Sequence, residues 1–396
     1  MNEVDPYPCI SDLAPRLQDL TAIRRHIHAH PELSHEEVAT SDLVASKLED
    51  WGYQVTRHIG GHGVVGVLRC GVGQRSIGIR ADMDALPIHE QTGLPYASKH
   101  AGKMHACGHD GHTTMLLGAA EYLAQTRRFS GTLNLIFQPA EESGTRSGAA
   151  TMIADRLFER FPCDAVFGLH NHPGLAMGKF LFRPGPMMAA VDTVFITIHG
   201  KGGHASRPHL SIDPVVVASS IVMSLQTVIA RNVNPAETAV ITVGSIHAGD
   251  APNVIPESAK LSLSVRSFTS DIGNLLKARI HKLVESLANA YGATVDIEYI
   301  HGAPVVINSD VETAFARKVA EELVGPENVD TCPLLTGSED FAYLLQQRPG
   351  CFLRLGNSLN SLMLHNPAYD FIDESLPIGA AFWSRLVERY FSTNEN

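Results

Sequence analysis

The stretch TLNLIFQPAEES, residues 132–143, runs from an apolar strand pattern into a proline and then two adjacent acids. Leu133, Leu135, Ile136 and Phe137 read as a buried strand, Pro139 lacks the N–H that would extend it, and Glu141 and Glu142 follow at once. The same construction recurs elsewhere. RSIGIRADMD (75–84) ends on Asp82 and Asp84, and DAVFGLHNHPG (164–174) carries His170 and His172 near its end. MHACGHD (104–110) places His105, Cys107, His109 and Asp110 just ahead of the helical pattern HTTMLLGAAEYLAQT (112–126). Strands alternating with helices predict an α/β domain whose largely parallel sheet is flanked by helices. Open sheets of that kind gather their sites at the carboxyl ends of strands, so these groups are expected to converge.

Towards the N-terminus the pattern is helical from Leu13 to about Gly52, with a break at Pro31. Near residue 190 the texture changes. VDTVFITIHG (191–200) alternates with period two, DPVVVASSIVMSLQTVIA (213–230) is helical, and TAVITVGSIHAG (238–249) and AKLSLSVRSF (259–268) are strands. A long helix, 272–292, and a strand, 293–302, complete a β-α-β-β-α-β order, the ferredoxin-like unit. Residues 190–303 therefore read as a smaller α+β domain inserted between 1–189 and 304–396 of the larger one.

Composition removes several classes. The 396 residues are 44% hydrophobic and 18% charged, as in a folded domain protein, and the net charge of −11 offers nothing to nucleic acid or an anionic membrane. No apolar run approaches the ~20 residues of a membrane span. The opening MNEVDPYPCISDLAP lacks the basic-then-apolar order of a secretory signal, and six scattered cysteines form no C-x-x-C pair. A cytoplasmic protein with reduced thiols is the expectation.

The residue types at the strand ends suit a divalent metal. Cys107 and His109, at i and i+2, share a side in extended or looped backbone but point apart on a helix. Taken singly, a Cys or His is more often structural, and Asp110 suits a helix cap. His105 and His112 read as scaffolding that can bond a ligand carboxylate. Adjacent acids such as Glu141 and Glu142 raise each other's pKa unless a cation lies near, and a division of labour suits them: one binds metal while the other takes a proton from water. A thiolate favours zinc over magnesium and can bridge two ions. HGKGGHAS (199–206) lacks the order of a phosphate loop, and Arg266, ending a strand, is either solvated or placed to pair with a substrate carboxylate.

Nine stretches occur in order: RRHIHAHPELSHEE (24–37), IRADMDALP (79–87), MHACGHDGH (104–112), QPAEE (138–142), GLHNHP (168–173), GKGGHAS (200–206), APNVIPE (251–257), GSEDFA (337–342) and LHNPAYDF (364–371). Together they resemble the dinuclear-metal amidohydrolases that include hippurate hydrolase, N-acyl-amino-acid deacylases and plant indole-acetyl-amino-acid hydrolases, relatives of aminoacylase and carboxypeptidase G. The resemblance implies two divalent ions per subunit, zinc or manganese first and cobalt or nickel next, held by Cys107, His109, Glu142, His170 and His365. It makes Glu141 the general base and acid, puts Asp82 and Asp84 behind the ligands, and leaves His172 positional. The inserted domain would act as lid and dimerisation domain, with His204 and Asn253 reaching a small N-acyl amino acid. SGTRSGAATMI (143–153) departs from a more glycine-rich run in many relatives, which bears on the acyl group or amino acid preferred. The same fold would also suit a dipeptidase or carboxypeptidase, and the same ligands a metal-storage or peptide-binding protein. Storage has no use for a spare carboxylate such as Glu141.

Overall fold

The computed structural model describes residues 7–392. The chain forms two compact units. The larger comprises the chain up to Gly185, Ile307–Pro333 and the chain from Asp340 on; the smaller comprises Pro186–Val306 with Leu334–Glu339.

In the larger unit α1 (Leu17–Ala29) and α2 (Val38–Asp50) precede β1 (Gln54–Ile59), β2 (Gly63–Cys70) and β3 (Ser76–Asp82). There follow α3 (His109–Thr126), β4 (Gly131–Gln138), α4 (Gly148–Ala154), β5 (Ala165–Pro173) and β6 (Phe180–Phe182). The smaller unit contributes β7 (Ala190–His199), α5 (Pro214–Asn232), β8 (Ala239–His247), β9 (Ser258–Ser267), α6 (Ser270–Ala290) and β10 (Thr294–His301). The larger unit then resumes with α7 (Asp310–Val324), β11 (Val329–Thr331), β12 (Gly350–Ser358) and α8 (Leu376–Ser392).

The eight strands of the larger unit run in the order β1-β2-β4-β3-β5-β12-β6-β11. Its centre, β4-β3-β5-β12, is parallel, in registers such as Ile79↔Leu135 and Leu169↔Leu353. The sheet as a whole is mixed: β1 and β2 form an antiparallel hairpin that adds antiparallel to β4, and β6 adds antiparallel to β12. Every residue of β3 is buried, as expected for a strand covered on both faces. On one face α3 packs with α1 and α8. All of its residues from His109 to Ala120 are buried, so it is a core helix, covered on every side, with its polar residues gathered in the first turns. Ile77, Ile79, Leu116, Leu135, Phe167 and Trp383 belong to one continuous core. Because β3, β4 and β5 run parallel, Asp82–Asp84, Glu141–Glu142 and His170 emerge at the same edge of the sheet.

The smaller unit has a four-stranded antiparallel sheet in the order β8-β9-β7-β10, with α5 and α6 completing its core. By length and composition α5 is apolar enough to cross a membrane, but Val217, Ile221, Leu225 and Val228 on it are buried in that core. Residues 334–339 join this unit because Leu335 exchanges backbone bonds with the chain near Ala189: Leu335 N donates to Met187 O and Ala189 N to Leu335 O, both at 3.0 Å. The periodicity of the sequence carries no trace of that pairing.

Candidate metal centre

Gly108 turns the chain between Cys107 and the first residue of α3, His109. Its φ of 91° lies in the left-handed region, and a Cβ there would fall 2.6 Å from Asn171 Oδ1 and 2.9 Å from Tyr369 Oη, so only glycine fits. The geometry is looped rather than extended, and the loop brings the Cys107 and His109 side chains together. Cys107 Sγ lies 3.3 Å from His170 Nε2. Within the larger unit, four groups of donor atoms lie within 4.8 Å of one another: Cys107, His109 and His170; Cys107, Glu142 and His365; His109, Glu141 and Glu142; Asp82, His109 and His112.

The surroundings fix which atom each histidine presents. His109 Nδ1–H donates to the backbone oxygen of Asp84 at 2.9 Å, with Asp84 Oδ1 at 3.2 Å. His109 Nε2 is buried with no hydrogen-bond partner; Asp82 Oδ2, at 3.7 Å, is out of reach. His170 Nδ1–H donates to Asn171 O at 2.8 Å, which turns Nε2 towards Cys107. Asn171 N donates to His112 Nε2 at 3.0 Å, Asn171 Oδ1 lies 2.8 Å from the same nitrogen, and His112 Nδ1 faces Asp82 Oδ1 at 2.7 Å. His365 has a left-handed φ of 65°, its N–H donates to Ala106 O at 2.8 Å, and its Nε2 lies 3.2 Å from Glu142 Oε1.

The electrostatics favour positive charge at this spot. Burial disfavours the charged ring of His109, but Asp82, Cys107 and the Asp84 bond outweigh it and raise its pKa well above the usual value. Bonds to Cys107 and Glu142 push His365 up to about 10. Burial and the charge of Glu142 raise the Cys107 thiol. Burial and the nearby Arg354 guanidinium lower His170 and also bring His172 to about 4. Protons on His109 and His365 thus occupy places that a divalent cation can take, and the orphaned Nε2 of His109 is a ready donor. The residues fit a metal centre, and thiolate with imidazole and carboxylate suits zinc-like ions.

Several supporting residues carry no local signal in the sequence. Arg80 donates to Asp82 Oδ2 at 2.8 Å, to Gln138 Oε1 at 2.9 Å and to Asp340 Oδ1 at 2.9 Å, tying the ends of β3 and β4 to a residue far along the chain. In the first turn of α3, Asp110 accepts from His28 Nδ1 at 2.8 Å, and Arg24 bonds Asp370 and Asp373, each at 2.8 Å. His105 is buried with neither ring nitrogen bonded, and burial brings its pKa down to about 4. His172, half-buried, joins none of the donor groups found among the described residues.

His204, Asn253 and Arg266 belong to the smaller unit. His204 and Val254 are register partners in a short strand pair, and Asn253 O accepts Ala205 N–H at 3.1 Å. His204 Nδ1 accepts Ser206 N–H at 3.1 Å, which leaves its proton on Nε2. Arg266 is half-buried, and its Nη1 is buried without a hydrogen-bond partner.

Residues 78–389 match the family described as Peptidase family M20/M25/M40. The chain is 43% identical over 385 residues to a hippurate hydrolase of Campylobacter jejuni, covering 96% of this chain and 99% of that one. It is 40% identical over 380 residues to an N-acetyl-L-cysteine deacetylase of Bacillus subtilis, covering 96% and 89%. A Bacillus subtilis crystal structure described as a dinuclear metal binding peptidase from the M20 family superposes with a TM-score of 0.83 at 32% identity, over 96% of this chain and 100% of that one. With its parallel-centred mixed sheet and its donor groups at the strand ends, the chain belongs to Peptidase family M20/M25/M40.

Proposed function

We propose that the protein is a metal-dependent hydrolase that splits the amide bond of N-acyl amino acids into a carboxylic acid and a free amino acid. One observation carries the reading: Glu141 and Glu142, adjacent in sequence, both bring a carboxylate oxygen to His109, while only Glu142 also joins Cys107 and His365. Cys107, His109, Glu142, His170 and His365 would hold two divalent ions, zinc or manganese first, cobalt or nickel next. When bound, such ions polarise the amide carbonyl and acidify water.

The chain's own residues do the rest. Asp84 fixes the His109 tautomer so that Nε2 faces the site, as carboxylate partners do in metal centres. Glu141, which does not join Cys107 and His365, takes a proton from the attacking water and returns it to the departing amine. His204 presents Nε2–H, a donor suited to the developing oxyanion, and Asn253 adds a polar substrate contact. Two copies paired through the smaller unit, each lending His204 to the other, complete the proposed enzyme. All six cysteines are free thiols, five of them buried, which supports a cytoplasmic setting.

The test is a panel of acetyl-, benzoyl- and arylacetyl-amino acids alongside dipeptides, assayed with metal-reconstituted protein for release of free amino acid. Turnover of acylated amino acids is expected, and turnover of dipeptides alone would instead favour a peptidase.

A further inference from the structure

The stretch PELSHEE, residues 31–37, leads from α1 into α2, and the chemistry above gives it no task. It lies against the turn that carries the two glutamates. Glu37 is wholly buried, its Oε1 accepts the Ala140 N–H at 2.7 Å, and its Oε2 is buried without a hydrogen-bond partner. Burial and the charge of Asp84 push its pKa up to about 7. Ala140, the residue before Glu141, is fully buried with φ 52° and ψ 44°, a left-handed conformation that alanine adopts reluctantly. Its carbonyl accepts Gly148 N–H at 2.9 Å, so the turn is bonded on both sides of Ala140.

Two neighbours of Glu37 act on the same turn, His35 directly and Ser34 through Asp84. Ser34 Oγ donates to Asp84 Oδ2 at 2.6 Å, and that oxygen also accepts Glu142 N–H at 2.9 Å. His35 Nε2 donates to Arg146 O at 3.0 Å and lies 3.2 Å from Ser143 Oγ. The segment is itself pinned to the end of β3, for Ala85 N donates to Glu32 O at 2.8 Å. Glu37 and His35 therefore bond the turn directly, at its start and towards its end, while Ser34 reaches Glu142 only through Asp84. A buried acid is costly unless it serves something, and the amide it meets is the one just before the glutamate pair.

We propose that Ser34, His35 and Glu37 are positioning residues for the glutamate pair, with Glu37 holding Ala140 left-handed so that Glu141 and Glu142 point to different tasks. The proposal rests on the amidohydrolase reading for what those tasks are. Without the acceptor, Ala140 loses the partner of a buried N–H and relaxes towards an ordinary backbone conformation, which turns both carboxylates at once.

The experiment compares Glu37→Ala, Glu37→Gln and the double variant Glu37→Ala with Ala140→Gly. It reads kcat, KM, bound metal and hydrogen exchange of a peptide covering residues 137–148. Glu37→Gln keeps an acceptor oxygen and should stay near wild type in every reading. Glu37→Ala should lower kcat by roughly 10–100-fold with KM little changed, the scale of a misplaced catalytic group, and speed exchange of that peptide. Ala140→Gly should return most of the lost kcat, because glycine holds the left-handed turn without help. Wild-type kcat and exchange in Glu37→Ala overturn the proposal, as does a loss that glycine does not relieve or one that Glu37→Gln shares. If Glu37→Ala does not fold, the half-buried His35→Gln serves in its place, with faster exchange over 143–148 expected and unchanged exchange decisive against. Should the wild-type protein hydrolyse no N-acyl amino acid, the amidohydrolase reading falls, while the exchange readings still decide whether this segment holds the turn.

Discussion

Glu141 and Glu142 differ in what they touch, and that difference sets the expected behaviour of their amides. Glu142 lies 3.2 Å from His365 and shares a donor group with Cys107, so Glu142→Gln should lose metal, as elemental analysis of purified protein would show. Glu141→Gln should retain metal and lose ~10²–10⁴ in kcat, the size of a general acid-base contribution. If metal loss follows Glu141 instead, the roles are reversed. Gly108 supports a second prediction. Gly108→Ala must fit a Cβ 2.6 Å from Asn171 Oδ1 at a φ of 91°, and strain and crowding together should cost about 2 kcal/mol or more. Calorimetry should show a lower Tm and metal titration a weaker affinity; an unperturbed variant would mean that the loop readily gives way. At this scale the sequence was informative where chemistry and punctuation coincide, as at Pro139 before Glu141 or the glycines around His109. It gave no role to Glu37, Arg80 and Asp340, although each lies in one of the nine stretches, because contacts with residues far along the chain leave no periodicity behind.

Between elements, the buried pair of His28 on α1 and Asp110 on α3 makes stability depend on pH. Burial opposes the charge on His28, but its bonds to Asp110 and Glu90 prevail and push its pKa up to about 9. A raised histidine pKa gives stability that is fully present below the unfolded value near 6.5 and lost as pH climbs through about 9. At about 1.4 kcal/mol per pH unit, the rise from 6.5 to about 9 is worth at most roughly 3.5 kcal/mol. His28→Asn should therefore be less stable than wild type at pH 6, with the gap in Tm narrowing as pH rises from 6.5 to 9. A gap that stays constant across that window would show that His28 contributes by packing alone. Element by element, strongly patterned segments such as α3, α6 and β4 could be read directly. The core strand β12 could not, since Arg354 and two glycines interrupt its apolar run, and β6 and β11 are only three residues each.

For the whole molecule, the proposed sharing of His204 between two copies has a simple arithmetic consequence. His204→Ala and Glu141→Ala proteins, each inactive, are mixed under conditions where subunits exchange. A mixed dimer then contains one site with both groups intact, so random pairing should restore about a quarter of wild-type activity. Exchange without recovery, followed by mass spectrometry of tagged chains, would place His204 in the site of its own subunit. The alternation of strands and helices foretold the parallel centre of the large sheet, and the β-α-β-β-α-β order the small one. The antiparallel hairpin at the edge was not foretold, because β1, with mostly half-exposed or exposed residues, lacks a clear two-residue pattern.

The position of β12 also governs the order in which the chain takes shape during synthesis. This strand fills the gap between β5 and β6, yet about 185 residues separate the end of β5 at Pro173 from the end of β12 at Ser358. At ribosomal speeds of roughly 5–20 residues per second, that is about 10–40 s during which the buried face of β5 has an unpaired edge. The smaller unit's sheet, contained within residues 190–301, can close in the meantime. An uncovered apolar strand is an invitation to pair with another chain, so the growing polypeptide depends on shielding, by chaperones or by its own earlier helices, until its last central strand arrives.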